Sequence, residues 1–288
     1  MKNYYSKCFD IQYKAYNKLQ KKLKTKEAVL NYMKNNNSNV SMQDLSHQIT
    51  FDVEFDLFEN ELAGNTVHIY FQERFLKEYL KEMEISDLQG ISQYLLENGE
   101  SDTIVLASSK TNASYETKSY KIYFCLHIPN ETDGYCFSVQ CAGNDYVFVS
   151  CIHNNRVQQV SQKISEKKES LINPKTESEM QNAEAFKLAI NTLSYINAFP
   201  ECLIDKKPEG VVLQYSFKNK KISLKTTPQF KEFENEINVT PHFRRGHFRR
   251  LGSDRFVNKK GQIVFVKPTI VKGYNYKTLL TDSSIKNT

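Results

Sequence analysis

The sequence predicts an α+β protein: a mostly antiparallel sheet packed by a central apolar helix, with an N-terminal amphipathic helix and a basic C-terminal β-hairpin. Short apolar runs separated by turn residues between positions 103 and 153 are typical of antiparallel strands. Residues 184–198 form the most apolar helical pattern in the chain. Residues 241–273 hold nine Lys or Arg and one acid, a net charge of +8, whereas residues 1–240 hold 28 basic and 31 acidic residues.

The composition is that of a globular protein with a substantial core. The chain has 288 residues, of which 40% are hydrophobic and 25% are charged. No apolar run reaches the roughly 18 residues that a membrane-spanning helix needs, so we expect no membrane partner. The first residues lead into a charged helix rather than an apolar core, which argues against a signal peptide and favours a cytoplasmic protein.

The chain divides into three regions, of which the last two are expected to form one compact unit. Residues 1–100 are a helical and strand region, residues 101–218 the central sheet and core helix, and residues 219–288 the basic hairpin region and a frayed tail. In the first region, apolar spacing predicts an amphipathic helix over 7–34, strands over 51–57 and 66–71, and helices over 73–83 and 86–97.

The centre and the C-terminal region are predicted in the same way. Strands are expected over 103–107, 119–128, 135–141, 146–153, 211–217 and 262–268, with a turn at 258–261. The polar residues 156–180 predict a mobile helical or looped excursion, and residues 219–238 a flexible connection. The helix over 184–198 is expected to cover the sheet.

Cysteine and histidine admit two interpretations. The six cysteines include no Cys-x-x-Cys pair and are expected to be small core hydrophobes in a reducing compartment. The alternative is a metal site formed by two Cys-x-His pairs on neighbouring strands: Cys125, His127, Cys151 and His153. The core interpretation is favoured, we expect no cofactor, and His68 is interpreted as a structural histidine.

The most distinctive segment repeats His-Phe-Arg-Arg twice around one glycine, over residues 241–250. The two units are offset by five residues, which matches neither the helical nor the strand period. If Gly246 supplies a one-residue bulge, both histidines would share one face with the first arginine of each unit, Arg244 and Arg249. Phe243 and Phe248 would then anchor the hairpin from the other face.

Four functional interpretations follow from this segment. Guanidinium groups bind phosphate and stack on bases, which favours RNA or another anionic molecule as the partner. The residues expected to bind it are His242, Arg244, Arg245, His247, Arg249, Arg250, Arg255, Lys259, Lys260 and Lys267. A metal-independent ribonuclease would use His242 and His247 as catalytic residues. A structural interpretation pairs the arginines with the acids Asp52, Glu54, Asp56 and Glu59. The last possibility is a non-enzymatic module that binds an acidic or nascent peptide.

The residues Pro241-His242-x-Arg244-Arg245-Gly246-His247-x-Arg249, followed by a hairpin and by 265–271, resemble a carboxy-terminal signature of phage and plasmid proteins related to a type V-A anti-CRISPR. The helix over 188–197 is similar to that family's central helix. The resemblance implies an inhibitor that lowers production of a CRISPR effector nuclease through its message or nascent chain. It also implies RNA, a ribosome–nascent-chain complex or an N-terminal effector peptide as the partner. Family members often carry tryptophan where Phe248 and Phe265 stand, and this chain has no tryptophan.

Overall fold

The structure is a computed structural model, and it describes residues 53, 56, 57, 59–61, 63–85, 88–107, 114–131, 133–143, 145–154, 156–166, 168–211, 218–231, 243, 244, 246–267, 269 and 270. The helix predicted over 7–34, most of the strand predicted over 211–217 and the predicted tail lie outside the described residues.

An eight-stranded mixed sheet forms the centre of the fold and confirms the α+β class. Its strands are β1 (Val67–Phe71), β2 (Glu100–Ala107), β3 (Ser114–His127), β4 (Tyr135–Ala142), β5 (Tyr146–His153), β6 (Arg156–Lys163), β7 (Leu203–Ile204) and β8 (Lys221–Leu224). The order is β6-β5-β4-β3-β1-β8-β7, and β2 pairs with the first half of β3. Strands β2 to β6 are antiparallel, whereas β1 runs parallel to both β3 and β8.

Five of the described helices cover one face of the sheet. They are α1 (Arg74–Glu82), α2 (Leu88–Asn98), α3 (Glu169–Ile172), α4 (Glu177–Ala198) and α5 (Pro228–Lys231). Phe137 and Val139 of β4 and Val149 of β5 share the helix-covered face because alternate residues of a strand point the same way. The predicted central helix is α4, and Leu188 and Leu193 of this helix belong to the same core.

Helix α4 begins seven residues before its predicted start. Thr176 caps it, since the Glu179 amide donates to the Thr176 hydroxyl at 3.2 Å and the Thr176 amide donates to the Glu179 carboxylate at 3.1 Å. This capping box lies in a polar segment whose apolar pattern is too sparse to indicate a helix. Farther along α4, the buried Asn191 side chain donates to two backbone carbonyls at the end of α1 and joins the two helices.

Three sequence predictions are wrong. The described residues of the strand predicted over 51–57 are helical: Val53, Leu57 and Glu61 recur every four residues on one helix face, on which Leu57 and Glu61 are buried and Val53 is half-buried. Residues 156–163 of the predicted excursion form the edge strand β6, in which mainly Val160 and Gln162 are buried. The predicted flexible connection contains β8 and α5, since β8 adds to the sheet beside β1.

The C-terminal region forms a separate antiparallel ribbon. Strands β9 (Phe243–Arg244) and β10 (His247–Arg250) pair with β12 (Thr269–Ile270) and β11 (Ile263–Val266), respectively. The predicted basic hairpin is therefore confirmed.

Candidate nucleic-acid interface

The basic hairpin, residues 247–267, consists of β10, β11 and the loop that joins them. His247 pairs with Val266 and Arg250 with Ile263, and the Leu251 amide extends this ladder by donating to the Gln262 carbonyl at 3.0 Å. The loop contains the turn predicted at 258–261, which ends at Gly261 with a φ of 84°. A positive φ is accessible to glycine without a steric penalty, so Gly261 closes the loop.

The predicted bulge at Gly246 is absent. Arg244 pairs with Thr269 in the outer ladder, and His247 pairs with Val266 in the inner one. Arg244 and His247 are three residues apart on one strand, and their partners Thr269 and Val266 are three residues apart on the other. The strand register is therefore the same on the two sides of Gly246. Because no residue is inserted on one strand, the two His-Phe-Arg-Arg units are not brought onto a common face in the way the bulge required.

Gly246 instead allows close packing of the ribbon against aromatic side chains. A Cβ atom at this position would lie 2.7 Å from the Phe265 ring and 2.9 Å from the Tyr79 hydroxyl oxygen. Phe248 is 3% exposed, and its ring centroid lies 5.7 Å from that of Phe265 and 6.2 Å from that of Phe199. The ribbon is thus fixed to the core at the start of β10, where both His247 and Phe248 are buried.

The distal part of the ribbon and its loop carry exposed cations. Arg249, Arg255, Lys259, Lys260 and Lys267 are exposed, and Arg250 is half-buried. Lys260 forms an ion pair with Asp254. Within the described part of the chain, no carboxylate forms an ion pair with Arg249, Arg250, Arg255 or Lys259.

The tip of the hairpin combines charge with apolar surface. The Arg255 guanidinium lies over the Phe256 ring, 4.9 Å from its centroid, and Val257 is 81% exposed. An arginine held over an aromatic ring presents a flat cationic surface on which a base can stack. The tip therefore offers stacking as well as charge.

Asp56, one of the acids that were candidate internal partners for the arginines, is paired elsewhere. The Asp56 carboxylate accepts from Lys121 at 2.8 Å and from the Tyr123 hydroxyl at 3.2 Å, on the sheet face opposite α4. Asp52 and Glu54 lie outside the described residues. Asp56 thus forms no ion pair with the described arginines and does not support the structural interpretation.

The two histidines of the motif are not found together at the surface. His247 is 4% exposed, and its backbone bridges to Glu84 beyond the end of α1. The His247 Nδ1 atom has no hydrogen-bond partner among the residues whose positions are described. His242 and Arg245, like the side chain of Arg244, lie outside the described structure. The burial of His247 prevents direct contact with a surface-bound phosphodiester, so it disfavours the ribonuclease interpretation.

A cleft of about 610 Å³ adjoins the basic hairpin. It is formed by α2, by the end of α4 and the residues after it, and by the hairpin: Gly90, Gln93, Tyr94, Glu97, Asn197, Ala198, Pro200, Glu201, Arg250, Lys260, Gly261, Gln262 and Ile263. Arg250 and Lys260 were predicted from the sequence, whereas the residues that α2, the end of α4 and Glu201 contribute, the helical wall of the cleft, were not. No local pattern marks that wall, because polar residues such as Gln93 and Glu97 are expected on any exposed helix face.

A polar cluster is buried on the face of the sheet opposite α4. His68 Nδ1 lies 2.8 Å from His127 Nε2, and His68 Nε2 lies 2.8 Å from the Glu61 carboxylate. The Asn219 amide donates to the same carboxylate at 3.0 Å, and Tyr70 stacks on His127. His68 is thus a hydrogen-bonded, buried histidine, as its position in an apolar strand predicted.

The alternative metal site is not formed. Cys125 pairs with Cys136, which pairs with Ile152, so these residues share one face of the sheet. Cys151 pairs with Phe137 and therefore lies on the other face, together with His153 two residues later. Strand β4 also separates the two Cys-x-His pairs. Among the described residues, no group of three or more His, Cys, Asp or Glu can hold a metal ion.

No protein family, no curated protein and no solved structure matches this chain. None of the described helices combines the length and the apolar character required to cross a membrane.

Proposed function

We propose that this protein recognises RNA through the basic hairpin and thereby lowers expression of a specific target. The observation that carries the proposal is the set of cations at Arg249, Arg250, Arg255 and Lys259, none of which is ion-paired to a described carboxylate. A cation without an internal partner keeps its full interaction with an external anion, whereas an internal ion pair would have to be broken first. Several such cations on one projecting ribbon fit a polyanion.

Two features favour RNA over a duplex of DNA. The Arg255–Phe256 pair and the exposed Val257 at the tip suit unstacked bases, which single-stranded loops of RNA expose and a DNA duplex conceals. The adjoining cleft has room for a group that leaves a stacked strand. The side chains that bind phosphate would be Arg249, Arg250, Arg255, Lys259, Lys260 and Lys267.

The resemblance to proteins related to a type V-A anti-CRISPR supplies the cellular target in this proposal. The hairpin would bind the message of a CRISPR effector nuclease, or the complex that translates it, and production of the effector would fall. This role requires binding and no chemical step. It is therefore compatible with the burial of His247.

The test is co-expression with a type V-A effector nuclease, followed by measurement of effector message and protein and by sequencing of the RNA that copurifies with the chain. The hairpin variant Arg249→Gln/Arg255→Gln is compared with Arg156→Gln/Lys175→Gln, which removes two exposed cations outside the hairpin. We expect wild type and the control to enrich effector message and lower effector level, and the hairpin variant to lose both effects. Equal activity of the two variants, or no enrichment of RNA by wild type, would overturn the proposal.

A further inference from the structure

The cleft beside the basic hairpin has two walls of opposite electrostatic character. Arg250 and Lys260 stand on the hairpin wall. The other wall consists of the C-terminal half of α2, the C-terminal end of α4 and Glu201. Helix C-termini carry partial negative charge on their last carbonyl groups, and Glu97 and Glu201 add carboxylates. A ligand that matches the cleft has an anionic group at one end and N–H donors at the other.

The hairpin wall is suited to phosphate. Arg250 is half-buried in the cleft, and among the described side chains no carboxylate neutralises it. A guanidinium group in a concave, partly desolvated site binds a phosphate oxygen more strongly than one on an open surface. The half-buried position of Arg250 thus distinguishes it from the exposed Arg249 next to it.

The helical wall is suited to a base. Tyr94 is half-buried: it packs partly against the core and lines the cleft, so a base can stack only on the part of its ring that faces the cleft. The Gln93 amide donates to Glu97 at 2.6 Å, whereas no hydrogen bond joins the Glu201 side chain to another described residue. A carboxylate without an internal donor accepts N–H groups from the edge of a base. Guanine presents two adjacent N–H donors on its Watson–Crick edge and matches one carboxylate best.

We propose that this cleft receives one unstacked nucleotide of the RNA bound to the basic hairpin, with its phosphate on Arg250, its base on Tyr94 and the base edge on Glu201. The inference rests on the proposed function and adds a site that reads a base. The cleft volume of about 610 Å³ falls within the range of about 300–1,000 Å³ that is usual for small-ligand sites. Guanine is the preferred base.

The test measures binding of short single-stranded RNAs that differ at one central base, with Tyr94→Leu and Glu201→Gln compared with wild type. Tyr115→Leu is the matched control, because Tyr115 is an exposed tyrosine on β3 and does not line the cleft. Thermal melting establishes that each variant is folded. Fluorescence of 2-aminopurine at the central position reports stacking directly.

We expect Tyr94→Leu to weaken binding about 5- to 150-fold, the range of base–aromatic stacking, without changing the dependence on salt. Glu201→Gln should reduce the preference for guanine, and Tyr115→Leu should resemble wild type. If wild type binds RNA but both cleft variants bind like the control, the cleft inference is refuted and the proposed function stands. If wild type binds no RNA, both are refuted.

Discussion

Replacing Gly246 with alanine is expected to destabilise the protein by about 1–3 kcal/mol, the usual range for overpacking a well-packed site. The added Cβ would lie 2.7 and 2.9 Å from two carbon atoms of the Phe265 ring and 2.9 Å from the Tyr79 hydroxyl oxygen. Real Cβ atoms essentially never approach a heavy atom so closely, so the ribbon or the two rings must move.

The two rings cannot move easily. Phe265 stacks on Phe230 with ring centroids 4.7 Å apart, and Tyr79 meets the same Phe230 edge-on at 4.6 Å. Displacing either ring disturbs this aromatic packing, and displacing the ribbon pulls the buried Phe248 from its site. The strain is therefore shared among several side chains, which places the cost within the stated range rather than near zero.

Gly252→Ala is the matched control. Gly252 is exposed, nothing lies within 4 Å of its added Cβ, and its φ is not positive. Such a substitution leaves stability unchanged or raises it by up to about 1 kcal/mol, because alanine lowers the conformational entropy of the unfolded chain.

Urea unfolding of the two variants measures the difference. With a slope of about 3 kcal/mol per molar urea, the Gly246→Ala midpoint should fall by about 0.3–1 M relative to wild type. Equal midpoints for Gly246→Ala and Gly252→Ala would refute the close packing of the ribbon against Phe265 and Tyr79.

Three further substitutions test the interior of the fold. Asn191→Ala should lower the free energy of unfolding by about 1–3 kcal/mol because it leaves two buried carbonyls without a donor, and a urea midpoint equal to wild type would contradict this. Glu61→Gln should cost a similar amount, since its new amide must face either the His68 ring or another amide donor, and an unchanged melting temperature would count against that cluster. Burial lowers the pKa of His153 despite its 3.0 Å contact with the Gly134 carbonyl, so the unfolded chain binds the proton more readily. The neutral His153 ring contributes fully to stability above about pH 6.5, and this contribution is lost as the pH falls below that value. The free energy of unfolding of His153→Gln should therefore change less than that of wild type between pH 7 and 5. Parallel profiles for the two proteins would contradict this effect.

The parts of the fold that were predictable from sequence carry strong local patterns. Strands β3, β4 and β5 each contain a run of alternating apolar residues that face the helices, and α4 carries apolar residues at helical spacing, so both were predictable. Strand β6 was missed because an edge strand needs few apolar residues, and the start of α4 was missed because a capping box is polar. Between 51 and 57, a short alternation of apolar and acidic residues concealed a helical repeat.

The candidate interface was predictable only in part. Its cations are adjacent in sequence, and their charge alone identified the hairpin. Its cleft joins Tyr94, Glu201 and Arg250. More than a hundred residues separate Tyr94 from Glu201 and about fifty separate Glu201 from Arg250, so only the fold brings them together. The role of Gly246 was misjudged because a bulge and a close aromatic contact both require glycine, and local sequence does not distinguish them.

The dependence of RNA affinity on salt tests the central claim most directly. Each phosphate contact to single-stranded RNA contributes about 0.7 to the slope of log affinity against log salt. If the four cations without a described ion pair, Arg249, Arg250, Arg255 and Lys259, each meet one phosphate, the slope is at least as steep as about −2.8, and affinity falls at least about 50-fold between 50 and 200 mM salt. Arg249→Gln/Arg255→Gln should reduce the slope by about 1.4, and Arg156→Gln/Lys175→Gln should leave it unchanged. A flat salt dependence in wild type, or the same slope in both double variants, would contradict RNA recognition by the basic hairpin.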